Sequence, residues 1–206
     1  SDLAGDSVTQ LSGIMNGRTN FMLTGMEKEG KSYDDVLAVA TELGFAEADP
    51  TLDVGGFDAR SKLKILIKLA FGLDLDEDVI SCAGIPEIEK IDFEYAGMEG
   101  GTIKLLATAG FTEAADGARD GEQRLSAYVS PCFVKKGNFL ASITGATNAV
   151  QIQSASLGQS TLVGQGAGRF PTANSCVSDI IAIARGTCAP QPFAKARAQS
   201  HASRAP

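Results

Sequence analysis

Residues 46–62 read AEADPTLDVGGFDARSK, so that Glu47, Asp49, Asp53 and Asp58 fall within twelve residues and Lys62 follows them. Carboxylates this dense repel one another when unpaired, and a fold that orders them must supply cations, hydrogen-bond donors or a ligand. Asp58 and Lys62 are four residues apart, which puts them on one helical face near the N-terminal end, where the helix dipole favours an anion. The helix they open continues as FDARSKLKILIKLAF from Phe57 to Phe71. It is apolar around most of its circumference after the first turn, the pattern of a helix with protein on several sides. Taken alone, Asp58 and Lys62 would be an ordinary helical ion pair worth about 0.3–0.5 kcal/mol. Asp49 followed by Pro50 reads as a turn or capping element, not as a ligand.

Upstream, Val8 to Ile14 alternates as a strand, and NGRTNFMLTGMEKEG (16–30) passes from a polar turn into helical spacing that stops at Gly30. In YDDVLAVATELG (33–44), Val36, Leu37, Ala40 and Leu43 form an apolar stripe behind Asp34 and Asp35 in the first turn. Downstream, a shorter helix is predicted near Glu87 to Tyr95. TIKLLATAGF (102–111) and RLSAYVSPCFV (124–134) follow as strands around an exposed hairpin tip at 112–123. ASITGATNAVQIQSA (141–155) and STLVG (160–164) supply two more strands, and PTANSCVSDIIAIARG (171–186) a closing amphipathic helix.

Helices first, then a run of strands, then a helix predict an α+β domain: a mixed β-sheet with helices packed on one face. That domain is expected to span residues 1–188. The tail 189–206, APQPFAKARAQSHASRAP, is low in bulky apolar residues and is expected to be disordered.

The chain has 206 residues, 25 acids, 18 Lys and Arg, and a net charge of −7. The tail holds Lys195, Arg197 and Arg204 and no acid, so residues 1–188 set 25 acids against 15 bases, a charge of −10. A body that acidic excludes the phosphate-neutralising surface of a nucleic-acid binder. Cys82, Cys132, Cys176 and Cys188 form no CxxC pair and the single histidine is His201, so zinc-ligand spacing is absent and the thiols read as free. No apolar run approaches the roughly 20 residues of a membrane span. The expectation is a cytoplasmic protein, or a plastid one if a transit peptide precedes it. The opening SDLAGDSVTQ, without Met, reads as the middle of a longer polypeptide.

The central stretch matches a long pattern of fixed spacing: Ala40, three residues, Gly44-Phe45-Ala46, two residues, Asp49-Pro50, two residues, Asp53-Val54, one residue, Gly56, one residue, Asp58, three residues, Lys62. In this it resembles the homoserine dehydrogenases. LSGIMNGRTNFMLTGM (11–26) resembles the family's segment that usually reads NGTTN, and VGQGAGRFPTANSCVSDIIAIAR (163–185) its glycine-rich turn and last helix, so the resemblance covers about residues 5–187. It implies a domain that binds homoserine and forms a homodimer interface, beside an N-terminal Rossmann domain that holds NAD or NADP. No GxGxxG follows an opening strand here, and GQGAG (164–168) lacks the acid about 20 positions on. The chain therefore looks like the catalytic half of the enzyme without its cofactor domain, and it is expected to turn over negligibly by itself.

The implied reaction exchanges hydride between the C4 alcohol of homoserine and the aldehyde of aspartate semialdehyde, on the route to threonine and methionine. Carried over by position, Glu47 and Asp53 hold the substrate's amino and hydroxyl ends, while Asp58 and Lys62 face the reacting oxygen, with Lys62 as proton donor and Asp58 orienting it. Gly17 and Thr19 fall near the substrate. Gly166, Ala167 and Gly168 fall near the nicotinamide, where missing side chains permit close contact; the other reading of that segment is a plain strand-to-helix turn. Arg18 departs from the family, standing where a small threonine is usual, and Arg169 and Phe170 replace small residues in the late turn. A non-catalytic paralogue that binds an amino acid or a partner subunit, with Arg18 obstructing the pocket, is the rival reading.

Overall fold

In the computed structural model, which describes residues 5–42, 49–113, 123–187 and 194–195, strand β1 (Val8–Ile14) lies inside a six-stranded sheet. Helices α1 (Gly17–Glu29), α2 (Tyr33–Glu42), α3 (Thr51–Val54) and α4 (Phe57–Phe71) follow it. Next come the short strands β2 (Leu73–Asp74) and β3 (Ser81–Cys82), then α5 (Lys90–Met98) and the long hairpin of β4 (Gly101–Glu113) and β5 (Gln123–Lys135). Strands β6 (Thr147–Ser154) and β7 (Gly158–Gln165), helix α6 (Arg169–Ala184) and strand β8 (Ala194–Lys195) complete the order.

The sheet runs β3-β5-β4-β1-β6-β7, with β3 parallel to β5 and every other pair antiparallel, which makes it mixed as expected. Strands β4 and β5 pair from Gly101↔Lys135 to Glu113↔Gln123. The predicted hairpin tip between them lies outside the described residues.

One face of the sheet carries the main core. Leu11, Ile103, Leu105, Ala107, Ala109 and Val129 meet Met22, Leu23 and Met26 of α1, Leu63 and Ile67 of α4, and Phe93 and Ala96 of α5. Ala107 and Ala109 are wholly buried, and their small side chains let helices approach the strands closely. The opposite face carries a smaller cluster of Ile14, Val134, Leu140, Ile143 and Ala149 under the short helical turn Phe139–Ser142.

Local signals explain the helix ends. The side chain of Asn16 caps α1 by accepting the Thr19 N–H at 2.9 Å, and Gly30 closes it in the left-handed region at φ 63°. Gly56 enters α4 at φ 82°, and a Cβ there would also crowd Cys82 Sγ at 3.1 Å and Val129 Cγ1 at 3.2 Å. Helix α5 begins at Lys90, later than the predicted Glu87, because Glu89 and Asp92 form a capping box. Sequence periodicity did not show α3, β2 or β3, which are too short to express one.

Helix α6 stands apart from this core. None of its residues is buried, and Phe170, Val177, Ile180, Ile181 and Ile183 are exposed. In the tail, the backbone of Ala194–Lys195 pairs in parallel with Leu73–Asp74; the rest of 189–206 lies outside the described residues. Among the described residues no helix is long and apolar enough to cross a membrane.

Candidate active site

The end of β1, the start of α1 and the α3–α4 corner meet at one point. Asn16, 6% exposed, uses one amide nitrogen to reach both carboxylates of the motif, donating to Asp53 Oδ1 at 2.6 Å and to Asp58 Oδ2 at 2.8 Å. Its own oxygen caps α1. One buried residue therefore ties the helix start to two aspartates 37 and 42 positions away. Like charges that close need such donors between them.

Lys62 lies one turn after Asp58, and its Nζ donates to Asp58 Oδ2 at 2.7 Å and to the Met15 carbonyl at 3.1 Å. An ammonium has three donors, so one N–H of Lys62 is left for an incoming oxygen. Asp58 Oδ1 makes no hydrogen bond among the described residues. With the Lys62 side chain 44% and the Asp58 side chain 32% exposed, a free donor and a free acceptor stand side by side at the protein surface.

Asp53 differs. Its Oδ1 is taken by Asn16 and its Oδ2 by an ion pair with Arg18 Nη1, and its side chain is only 18% exposed. The sequence reading has Asp53 holding a substrate; in the structure each of its oxygens accepts one bond from the protein. Arg18 points to this carboxylate and forms no bond to Asp58 or Lys62 among the described residues.

The remaining predicted residues occupy distinct places. Glu47 lies outside the described residues. Thr19 is 1% exposed and its hydroxyl donates to the Asn16 carbonyl at 3.0 Å, which makes it a part of the helix start. A side chain on Gly17 would collide with the Ala146 carbonyl and crowd Asn148. Gly166, Ala167 and Gly168 form the exposed bend between β7 and α6, with Gly168 at φ 123°. Asn148 fills the space beside Gly166 and also donates to the Met15 carbonyl at 3.4 Å, the same oxygen that accepts from Lys62. The two glycine turns, 149 positions apart, thus share one neighbour.

Asn148, with its Oδ1 buried and unpaired, and the Met15 carbonyl are the parts that sequence reasoning missed. A backbone oxygen carries no residue-type signal, and the asparagine is the second residue of β6, where a polar side chain is ordinary. Behind them Lys104 is wholly buried, donating to the Ile143 carbonyl at 2.8 Å and to Asn20 Oδ1 at 3.4 Å. Asn20 in turn donates to the carbonyls of Ile143, Gly145 and Thr147, so the pair holds the turn that leads through Ala146 into the start of β6 and Asn148. Burial pushes the Lys104 ammonium below its ordinary range, against the raising field of Glu27.

A groove of about 490 Å³ between α5 and the β4–β5 hairpin, lined by Tyr95, Ala96, Ile103 and Phe133, contains none of these residues. The chemistry is better located by the convergence of charged groups than by volume, because the groove brings no donor–acceptor constellation together.

A mixed sheet backed by helices, with a lysine–aspartate pair at the start of α4, makes this an α+β domain with one compact charged site. The chain belongs to the homoserine dehydrogenase family, whose model matches residues 1–181. Homoserine dehydrogenase of Lactococcus lactis is 44% identical over 185 residues, covering 90% of this chain and 41% of that protein; the Mycobacterium leprae enzyme is 44% identical over 183 residues. Among solved structures, a Thiobacillus denitrificans homoserine dehydrogenase superposes with TM-score 0.84 at 33% identity over 95% of this chain and 47% of that one. A mutant of a hyperthermophilic archaeal homoserine dehydrogenase in complex with NADPH superposes with TM-score 0.69 at 28% identity over 90% of this chain and 50% of that one. The chain spans about two fifths of the length of the curated relatives it matches.

Proposed function

We propose that this domain holds homoserine and manages the proton in the interconversion of L-homoserine and L-aspartate 4-semialdehyde, on the route to threonine and methionine. The observation that carries it is the Asp58–Lys62 pair, steadied by Asn16 and the Met15 carbonyl, which leaves one N–H and one carboxylate oxygen unspent. Lys62 donates its proton to the oxygen developing on C4 in the reductive direction, and in the oxidative direction its neutral amine takes the alcohol proton back as hydride leaves C4. Asp58 orients Lys62, and Glu47 and Asp58 attract the substrate ammonium. Asp53 acts on the substrate side through Asn16 and Arg18.

NAD or NADP, when bound, supplies the hydride acceptor. The exposed bend Gly166-Ala167-Gly168 fits that group, since it presents backbone without bulky side chains. NADP is favoured by the archaeal relative's NADPH complex. The uncovered apolar residues of α6 fit a neighbouring cofactor domain.

A homodimer is supported by the sheet face turned away from the main core. Tyr128, Thr108, Ser12, Gln151 and Thr161 lie in register across it, and Gln151 Nε2 is buried without an acceptor. A second copy of this hydroxyl and carboxamide face can satisfy it, and a molar mass of one protomer by light scattering would refute the dimer. The cytoplasm is the proposed location, and the bacterial relatives lend the plastid alternative no support.

The test is oxidation of homoserine by the complete gene product, followed as NADPH and NADH formation, with Lys62→Ala beside the wild type. A fall in kcat of roughly 10²- to 10⁴-fold in a folded variant is expected. Absence of wild-type activity in a folded protein would overturn the assignment and restore the paralogue reading.

A further inference from the structure

We infer that Arg18 is the specificity-determining residue of this site, reading the α-carboxylate of the amino-acid substrate, with Asp53 as the positioning residue that aims it. The inference rests on the homoserine reading above. Homoserine brings one cation, one anion and one hydroxyl to the site. Asp58 offers a free oxygen and Lys62 a free N–H, which suit the ammonium and the reacting oxygen. Among the charged groups described at this point, the cation left for the carboxylate is Arg18.

Its setting suits that task. A guanidinium has five N–H donors in a planar fork that matches a carboxylate, and the Arg18 side chain, 23% exposed, has an ion pair through Nη1. Asp53 holds that nitrogen and is itself held by Asn16, so the guanidinium is fixed before any ligand arrives and little rotamer freedom remains to be lost. The same Asn16 nitrogen also bonds Asp58, which carries Lys62. That shared nitrogen links the two cations through one continuous row of contacts, with the guanidinium at one end and the ammonium at the other. The substrate would lie along the row Arg18, Asp53, Asn16, Asp58, Lys62, with its carboxylate at the arginine and its alcohol at the lysine.

Asp53 holds the guanidinium and is held in turn by Asn16. Its negative charge is already partly balanced by the guanidinium it holds, and its removal should act through Arg18. Threonine at position 18 could offer the carboxylate a single hydroxyl without charge, whereas arginine adds a charge-assisted fork.

The experiment compares homoserine with 3-aminopropan-1-ol, the same amino alcohol without the carboxylate, as substrates of the complete gene product. The reading is the ratio of kcat/KM for the two. In Arg18→Thr the ratio is expected to fall by about tenfold or more, through KM for homoserine, and Arg18→Lys, which keeps charge but not the fork, to recover part of it. Asp53→Asn should lower the ratio in the same direction. An unchanged ratio in a folded Arg18→Thr, with wild-type activity intact, overturns the inference and leaves the homoserine reading standing. Should Arg18→Thr fail to fold, an unchanged ratio in Arg18→Lys overturns it equally. No homoserine oxidation by the wild type overturns both.

Discussion

The carboxamide of Asn148 fills the space that a side chain on Gly166 would need. One strand side chain therefore crowds the Gly166 position with its movable end, while the Gly17 position is closed chiefly by the Ala146 carbonyl, a backbone atom. The two glycines should respond differently to the same repair. Gly166→Ala is expected to cost about 1–3 kcal/mol by overpacking, and Asn148→Ala in the same chain should return at least about 1 kcal/mol of it. Gly17→Ala should gain much less from Asn148→Ala, since the carbonyl stays. Urea midpoints of the three single and two double variants would check this, and equal rescue of both glycines would refute it.

Asn16 carries three duties at once: it caps α1 and donates to Asp53 and Asp58. Asn16→Asp keeps a good capping oxygen but turns the shared donor into a third carboxylate facing two others. Its expected cost at neutral pH is about 1–3 kcal/mol, more than that of losing the donor alone. The penalty should shrink as pH falls through the carboxylate range, because protonation restores an O–H donor. Thermal melting of Asn16→Asp at neutral and mildly acidic pH would decide, and a penalty independent of pH would sink the argument.

Lys104 is buried against a carbonyl and a carboxamide, without a carboxylate in hydrogen-bond contact among the described residues. Its folded-state pKa lies below the unfolded one, so between the two values the unfolded chain binds the extra proton and stability rises with pH. Below the folded pKa the penalty for burying the charge is fully present. Lys104→Met removes this dependence. The stability difference between wild type and Lys104→Met should therefore move in favour of the wild type as pH rises from about 7 toward 10. Denaturant midpoints of both proteins across that range would show it, and a constant difference would mean that the ammonium is not penalised by burial.

Much of the architecture was legible in the residues. Val8–Ile14 appears as read, and α1, α2 and α4 follow their apolar spacing, α1 with its glycine end at Gly30, because these are local preferences acting over two or more turns. The pairing of Asp58 with Lys62 was legible for the same reason, since four residues on a helix fix neighbours regardless of what surrounds them. The spacing of the carboxylate motif also sufficed to identify the family.

What the tertiary structure alone decided is who meets whom across long separations. That Arg18 turns to Asp53, that Asn16 joins two aspartates through one nitrogen, and that Asn148 parts two glycine turns all depend on β1, β6 and the α3–α4 corner arriving at one point. Those contacts are set by sheet register and core packing, which no local pattern encodes. The exposed apolar residues of α6 make the same point from the other side: an amphipathic helix announces that it needs a partner, and only the folded chain shows that the described residues do not provide one.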